Sequence, residues 1–317
     1  MPQPTDVFNS GGTLALNTMR NDALSYLDPA VLAGMDNLEL VAKFIVEGFI
    51  IGLHRSPYHG FSSEFSSYRK YVEGDDPKFV DWRIFARTER FYIKEFEETT
   101  NLTCHIVLDA SASMGFADEG GVSKLEYGRY LCAGLSYLML RQRDSVSLAT
   151  FSGGRHSFVP PSARSVQLNN ILLRLAETKP GGTTDLGQAL SGMAERIRGR
   201  SLIVVVSDFL SPMDEIKHIL RHFRYRHHEV ILFQALTRSE AEFPFQAPTC
   251  FKDMETGQEV FTEPAHIREA YLRLLGEHED ALLRQCSDLD VDFVRLGTDQ
   301  NLGPALVAYL ARRAAAV

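Results

Sequence analysis

The chain has 317 residues, which is enough for one large domain or two small ones. Hydrophobic residues make up 44% and charged residues 23%, a balance that indicates a folded core and excludes a disordered tail. Acidic residues outnumber basic residues by 41 to 33, and the net charge of −8 argues against a protein that binds nucleic acid. We therefore expect a folded, acidic protein whose partners are not nucleic acids.

Neither apolar stretches nor cysteines indicate a membrane or secreted protein. The longest apolar stretches, near residues 131–140 and 202–206, are much shorter than the roughly 20 residues that cross a bilayer. The N-terminal residues lack the basic and apolar regions of a signal peptide. The four cysteines are widely spaced without a Cys-x-x-Cys pair, so we expect buried, reduced thiols. We predict a cytoplasmic protein that does not span a membrane.

The first part of the chain predicts an arm made of helix and extended structure. Asp28-Pro29 is typical of a helix start, with an N-cap followed by proline. Apolar residues at helical spacing over residues 38–50 predict the next helix, which we expect to end near Gly52. The alternating pattern of residues 90–98 predicts a strand. We divide the chain into this arm, residues 1–100, packed on a main domain, residues 101–317.

Beyond residue 100, strand and helix patterns alternate along the chain. Strands are predicted at residues 102–108, 144–151, 155–159, 202–206, 230–236 and 291–296, with the third at a sheet edge. Helices are predicted at residues 124–140, 166–177, 186–197, 213–224, 267–286 and 302–312. A hairpin is predicted to turn at Thr256-Gly257. This alternation predicts an α/β fold with a doubly wound, mainly parallel sheet.

Oxygen-bearing side chains occur in three loops at the predicted carboxyl edge of this sheet, where ligands bind in such folds. The first loop follows the strand at 102–108, the second opens the helix at 186–197, and the third follows the strand at 202–206. These side chains are Asp109, Ser111, Ser113, Thr183 and Asp208. Each serine or threonine alone is more simply a helix cap or a turn residue. Their placement in three converging loops favours a site for one Mg²⁺ or Mn²⁺ ion, since both ions accept oxygen ligands.

The order of these motifs resembles the von Willebrand factor type A domain. In that domain, Asp-x-Ser-x-Ser, a threonine in the second loop and an aspartate after the next central strand form the metal-ion-dependent adhesion site. The resemblance implies that Asp109, Ser111, Ser113, Thr183 and Asp208 are the metal ligands. Thr184 competes with Thr183 for the second-loop position, because the loop holds both.

The segment before the first loop resembles the signature of a bacterial family of unknown function. Members of that family are typically encoded beside MoxR-type AAA+ ATPases and have no settled reaction. The matching residues are Glu64, Phe65, Arg69, Tyr71, Gly74, Asp75, Asp76, Asp81, Trp82, Ala86, Arg87 and Thr88. Lys78 stands where arginine is commoner. The resemblance implies a MoxR-type ATPase as the partner, in chaperone-like work.

Two classes of function fit the sequence. A P-loop, a Gly-x-Ser-x-Gly elbow and a His-Glu-x-x-His motif do not occur in it. We predict an adaptor rather than an enzyme, in which a bound cation keeps one position open for an acidic residue of the partner. The alternative is a Mg²⁺-dependent hydrolase with Asp109 as nucleophile or ligand, although the three loops contain no histidine to act as a base. An α/β domain with an empty site is a third possibility.

Overall fold

The computed structural model describes residues 28–35, 37–54, 68–70, 91–94, 102–183 and 186–316. The expectations for most of the family signature and for Thr184 lie outside what is described. The helix expected to end near Gly52 extends over Leu38–His54.

Two helices and one strand pair make up the described part of the arm. Helix α1 (Pro29–Ala33) begins as predicted, because the Asp28 side chain accepts a hydrogen bond from the Ala30 amide at 2.9 Å. Helix α2 is Leu38–His54, and strands β1 (Tyr68–Lys70) and β2 (Tyr92–Lys94) pair antiparallel. The buried side of α2 joins the main hydrophobic core.

The central sheet contains six of the strands beyond residue 100. Those strands and the hairpin pair are β3 (Thr103–Asp109), β4 (Ser145–Ser152), β5 (Arg155–Ser162), β6 (Leu202–Ser207), β7 (Glu229–Leu236), β8 (Thr249–Lys252), β9 (Glu259–Thr262) and β10 (Asp292–Gly297). The sheet order is β10-β7-β6-β3-β4-β5, and every neighbouring pair is parallel except β4 and β5. The predicted α/β class with a mainly parallel sheet is confirmed, including the edge strand.

Helices cover both faces of the sheet. They are α3 (Lys124–Arg141), α4 (Val166–Glu177), α5 (Leu186–Ala194), α6 (Met213–Tyr225), α7 (Arg238–Glu242), α8 (Pro264–Asp288) and α9 (Gly303–Ala316). Along β3, Ile106 and Leu108 join the cluster that contains residues of α3, α4 and α9, whereas Val107 joins the cluster of α5, α6 and α8. This division is the doubly wound arrangement that the alternating sequence predicts.

Three details differ from the sequence-based expectations. The helix predicted at 186–197 ends at Ala194, because the Arg196 amide bonds to the Met193 carbonyl and the last turn tightens. Helix α7 was not predicted, although Thr237 and Glu240 form a capping box at its start. Cys250 is exposed, because β8 lies in the hairpin outside both cores; the other three cysteines are buried as expected. The hairpin itself is confirmed as β8 and β9.

None of the described helices combines the length and the apolar character that a membrane crossing requires.

Candidate metal centre

The first loop begins where β3 ends, at the buried carboxylate of Asp109, which is 4% exposed. Its Oδ1 accepts a hydrogen bond from the Ser111 amide at 2.9 Å, and its Oδ2 accepts one from the Ser207 hydroxyl at 2.7 Å. A short 3₁₀ turn over Ala112–Gly115 then brings Ser113 back, so that the Ser111 and Ser113 hydroxyl oxygens lie 3.0 Å apart. The structure therefore brings together the three residues predicted from this loop.

The third loop places a second buried carboxylate beside the first. Strand β6 pairs directly with β3, and Asp208 follows β6 with 4% of its surface exposed. Its Oδ1 accepts a hydrogen bond from the Leu210 amide at 3.3 Å. Burial, and then the charge of Asp208, raise the pKa of Asp109 to about 6 despite the opposing hydrogen bonds from Ser207 and Ser111. The two carboxylates thus share one poorly solvated site.

The second loop is held against the first by backbone hydrogen bonds. The Gly181 amide donates to the Ala110 carbonyl at 3.1 Å, and the Ala112 amide donates to the Gly182 carbonyl at 3.0 Å. Gly182 has a φ of +66°, and a Cβ at this position would lie 2.4 Å from the Cα of Gly153. Thr183 follows directly and is exposed. The two hydrogen bonds therefore hold Gly181 and Gly182 beside the first loop, and the absence of a Cβ on Gly182 allows its close approach to Gly153 in the β4–β5 turn.

A buried lysine that the sequence-based prediction did not include lies beside Asp208. The side chain of Lys124 at the start of α3 is fully buried, and its Nζ lies 2.8 Å from Asp208 Oδ2 and 2.6 Å from Glu240 Oε1. Burial lowers the pKa of Lys124, but the charges and hydrogen bonds of Asp208 and Glu240 outweigh it and raise the pKa overall. The sequence does contain a signal for the burial of Lys124, because helical spacing sets it on the same face of α3 as the buried Tyr127 and Leu131.

A histidine also reaches this edge of the sheet from outside the three loops. His278 lies on α8, and its Nε2 is 2.8 Å from the main-chain carbonyl oxygen of Phe209. A carbonyl only accepts, so this nitrogen donates. His278 therefore links α8 to the third loop by a hydrogen bond.

The donor chemistry of the centre fits a hard divalent cation. The carboxylates of Asp109 and Asp208 and the hydroxyls of Ser111 and Ser113 are the oxygen ligands that Mg²⁺ and Mn²⁺ accept. Within the described ranges, no group of three or more His, Cys, Asp or Glu residues could hold a metal ion, so a site here depends on hydroxyl ligands. A cation would also offset the repulsion that raises the pKa of Asp109.

The sequence matches a known family over most of the main domain. The family model described as "Protein of unknown function DUF58" matches residues 67–281. The chain belongs to the DUF58 family. The matched range of this DUF58 chain contains all three loops and Lys124, and it begins inside the predicted family signature.

Relatives and solved structures of similar sequence or shape have also been found. The uncharacterized protein Rv1480 of Mycobacterium tuberculosis is 27% identical over 292 residues, which cover 90% of this chain and 90% of that protein. The conserved hypothetical protein BatB from Bacteroides thetaiotaomicron is 18% identical, with a TM-score of 0.47 over 67% of this chain and 97% of that one. The SpRpn10 VWA domain is 10% identical, with a TM-score of 0.38 over 65% of this chain and 94% of that one.

Proposed function

We propose that this DUF58 protein is a metal-dependent protein-interaction adaptor and not an enzyme. The observation that carries the proposal is the pair of buried carboxylates, Asp109 and Asp208, at the ends of two adjacent parallel strands. Asp109, Ser111, Ser113 and Thr183 would hold one Mg²⁺ or Mn²⁺ ion, with Asp208 contributing through Oδ1, since its Oδ2 is bound to Lys124. This set of ligands is the one that the resemblance to the metal-ion-dependent adhesion site implies.

Each residue of the centre has a distinct part in this proposal. Asp109 supplies the negative charge, and the Ser207 hydroxyl and the Ser111 amide fix the orientation of its carboxylate. Lys124 neutralises part of Asp208, which limits the total negative charge at the site. A bound divalent ion would supply an open coordination position for a carboxylate from another protein. Such a contact is strong only while the ion is present.

The proposed partner is a MoxR-type AAA+ ATPase that presents an acidic residue. The support is the resemblance of residues 64–88, with the following Asp-x-Ser-x-Ser-Met, to a family typically encoded beside such ATPases. In this proposal the chain acts in the cytoplasm and links the remodelling work of the ATPase to the assembly or maturation of protein complexes. The adaptor role requires no chemistry at the centre beyond the binding of a carboxylate.

Binding of the purified full chain to the MoxR-type ATPase of the same organism tests the proposal. We expect Asp109→Asn and removal of metal with EDTA each to raise the Kd by about tenfold or more, equivalent to about 1.4 kcal/mol. Asp288→Asn is the matched control, since Asp288 is an exposed aspartate at the end of α8. Unchanged binding in both Asp109→Asn and EDTA would show that the interaction does not use the metal.

The buried carboxylate of Asp109 at the end of β3 is the observation that favours the hydrolase alternative, in which Asp109 is the nucleophile or a metal ligand. The adaptor proposal expects no Mg²⁺-dependent hydrolysis of p-nitrophenyl phosphate above that of Asp109→Asn. Turnover that requires both Mg²⁺ and Asp109 would replace the adaptor with the hydrolase.

A further inference from the structure

An open groove of about 790 Å³ lies between strand β8, the loop at residues 116–119 and the region of α7. Phe116, Phe245, Phe251 and Met254 give it an apolar lining. The rings of Phe245 and Phe251 meet edge-on with centroids 5.2 Å apart, and both pack on the buried Phe243. These rings hold each other in place, so this part of the groove keeps its shape without a ligand.

Strand β8 turns one of its edges towards this groove. All four residues of β8 line the groove, whereas none of the described lining residues belongs to β9. Successive side chains of a strand point to opposite faces, so a groove that four successive residues line runs along the edge of that strand. Since β9 pairs with the other edge of β8, the groove follows the open edge of the two-stranded sheet.

The pairing of β8 with β9 determines which main-chain groups face the groove. The Asp253 amide donates to the Gln258 carbonyl at 2.8 Å, so these two residues form a hydrogen-bonded pair. Hydrogen-bonded and non-hydrogen-bonded pairs alternate along an antiparallel ladder, which makes Lys252 and Cys250 members of non-hydrogen-bonded pairs. Their amides and carbonyls therefore point away from β9, and no described residue bonds to them. Such an edge is a template for another strand.

The charges along the groove favour a basic ligand. Asp118 accepts hydrogen bonds from the Ser239 hydroxyl and from the Ser239 amide, the latter at 3.2 Å, and these fix its carboxylate. Glu119 beside it is exposed, and neither acid forms an ion pair with a residue of the described ranges. The two basic residues of the lining, Arg238 and Lys252, are each paired with a glutamate. The groove therefore has negative charge to offer to a cationic side chain.

We propose that this groove binds an extended segment of a partner protein that carries a basic residue beside apolar ones. The segment would add to β8 as a third strand and pair with the main-chain groups of Cys250 and Lys252. Its apolar side chains would pack on Phe245 and Phe251, and its basic residue would meet Glu119. In this mode, main-chain hydrogen bonds give affinity and alternate side chains give specificity. None of the proposed metal ligands lines the groove, so the inference goes beyond the proposed function and needs no cation.

A labelled synthetic peptide, Lys-Val-Thr-Val-Thr-Val-Lys, tests the pairing by fluorescence anisotropy with the full wild-type chain in EDTA. Two further versions carry N-methyl groups, one on the valines and the other on the threonines. Alternate amides of an extended peptide point to opposite edges, so the methyl groups of only one version face β8. We expect that version to bind about tenfold more weakly than the other, because it loses main-chain hydrogen bonds. Equal binding of the two versions, or no binding of the unmodified peptide up to about 1 mM, would overturn the proposal.

Proline substitutions in the hairpin locate the bound peptide. Cys250→Pro removes a main-chain donor from the groove edge and should weaken binding about tenfold. Glu259→Pro is the matched control, because Glu259 lies opposite Lys252 and its amide points to the outer edge of β9. Equal peptide affinity of the two variants would place the peptide elsewhere. Urea unfolding shows whether each variant is folded, and the comparison of the methylated peptides uses the wild-type protein alone.

The charge of the groove is tested in the same assay. Glu119→Gln should weaken binding of the lysine peptide several-fold at low salt, and the difference from wild type should shrink as salt is added. A peptide with glutamate in place of both lysines should bind more weakly than the lysine peptide. If the two peptides bind equally well, the groove does not select a basic segment. Because every titration is done in EDTA, these results do not depend on the candidate metal centre.

Discussion

The ammonium of Lys124 donates a hydrogen bond of 2.8 Å to Oδ2 of Asp208, and the lysine side chain has no exposed surface. The same ammonium binds Glu240, which caps α7, at 2.6 Å. Asp208 therefore belongs both to a buried ion pair and to the candidate metal centre. Lys124 therefore connects Asp208 of the candidate metal centre to Glu240 of α7, which lies more than thirty residues later in the sequence.

Replacing Lys124 is expected to destabilise the metal-free protein strongly. Lys124→Met leaves Asp208 and Glu240 buried without their cation, and loss of one partner from a buried pair typically lowers the free energy of unfolding by about 3–5 kcal/mol. Urea unfolding in EDTA measures this. Lys43→Met is the control, since Lys43 pairs with Glu47 on the exposed side of α2 and should change stability by less than about 1 kcal/mol.

Mg²⁺ should recover part of the stability lost in Lys124→Met, because the ion binds the carboxylates that the ammonium has left. The rise in urea midpoint on adding Mg²⁺ is then larger for this variant than for wild type. Equal midpoints for Lys124→Met and Lys43→Met in EDTA would contradict the buried ion pair.

Asp109→Asn is expected to stabilise the metal-free protein and to remove the stabilisation that Mg²⁺ gives to the wild type. The folded-state pKa of Asp109 is about 6, above its ordinary value of 3.8, so stability from this group falls as pH rises between these values. At about pH 7.5 the Asp109 carboxylate is ionised. Removing its charge in Asp109→Asn should raise the free energy of unfolding of the metal-free protein by about 1–3 kcal/mol. Saturating Mg²⁺ should raise the melting temperature of wild type and leave that of the variant unchanged. A variant that responds to Mg²⁺ as wild type does would exclude Asp109 as a ligand.

The order of strands and helices could be predicted because each carries its own local signal. The strand at Leu202–Ser207, for example, begins with a continuous apolar run over residues 202–206, and α4 lies at the predicted residues. The loops that follow these strands were predicted with them, which is why Asp109 and Asp208 were recognised as a pair. Their burial was not predicted, although the sheet and its hydrogen bonds enclose both carboxylates.

The groups that surround the pair could not be predicted, because they come from distant parts of the chain. Lys124 is 84 residues from Asp208 and 116 from Glu240 in sequence. The turn of the β8–β9 hairpin brings Met254 within 3.6 Å of the position that a Cβ on Gly115 would occupy, but no pattern in the sequence shows what a hairpin packs against. Only the packing of α3 and the hairpin on the sheet reveals these contacts.

His105 is expected to make the protein sensitive to acid. It lies buried on β3 with its Nδ1 2.6 Å from the Ser147 hydroxyl on β4. Burial, and then the charge of His228, lower the pKa of His105 from 6.5 to about 4. As the pH falls, His105 takes up its proton in the unfolded chain before it does so in the folded protein. The free energy of unfolding therefore decreases by up to about 3 kcal/mol as the pH falls from about 6.5 towards 4.

The measurement compares urea unfolding of wild type and His105→Gln between about pH 7 and pH 4.5. The variant should lose less stability than wild type over this interval. His266→Gln, at an exposed position on α8, should follow wild type. Parallel curves for wild type and His105→Gln would show that His105 is not the acid-sensitive group.

Gly182→Ala tests whether the contact between the second loop and Gly153 holds the metal centre together. Gly182 and Gly154 both have positive φ, +66° and +75°, so alanine at either position meets the same backbone strain of about 1 kcal/mol. Only at Gly182 would the new Cβ also lie 2.4 Å from the Cα of Gly153, which forces the loop outward. We expect Gly182→Ala to be less stable than Gly154→Ala by about 1–3 kcal/mol in urea unfolding.

Because the displaced loop also carries Thr183, Gly182→Ala should bind Mn²⁺ more weakly in calorimetry, while Gly154→Ala should bind as wild type does. Equal stability and equal Mn²⁺ affinity of the two variants would mean that the close approach of this loop is not what positions the centre.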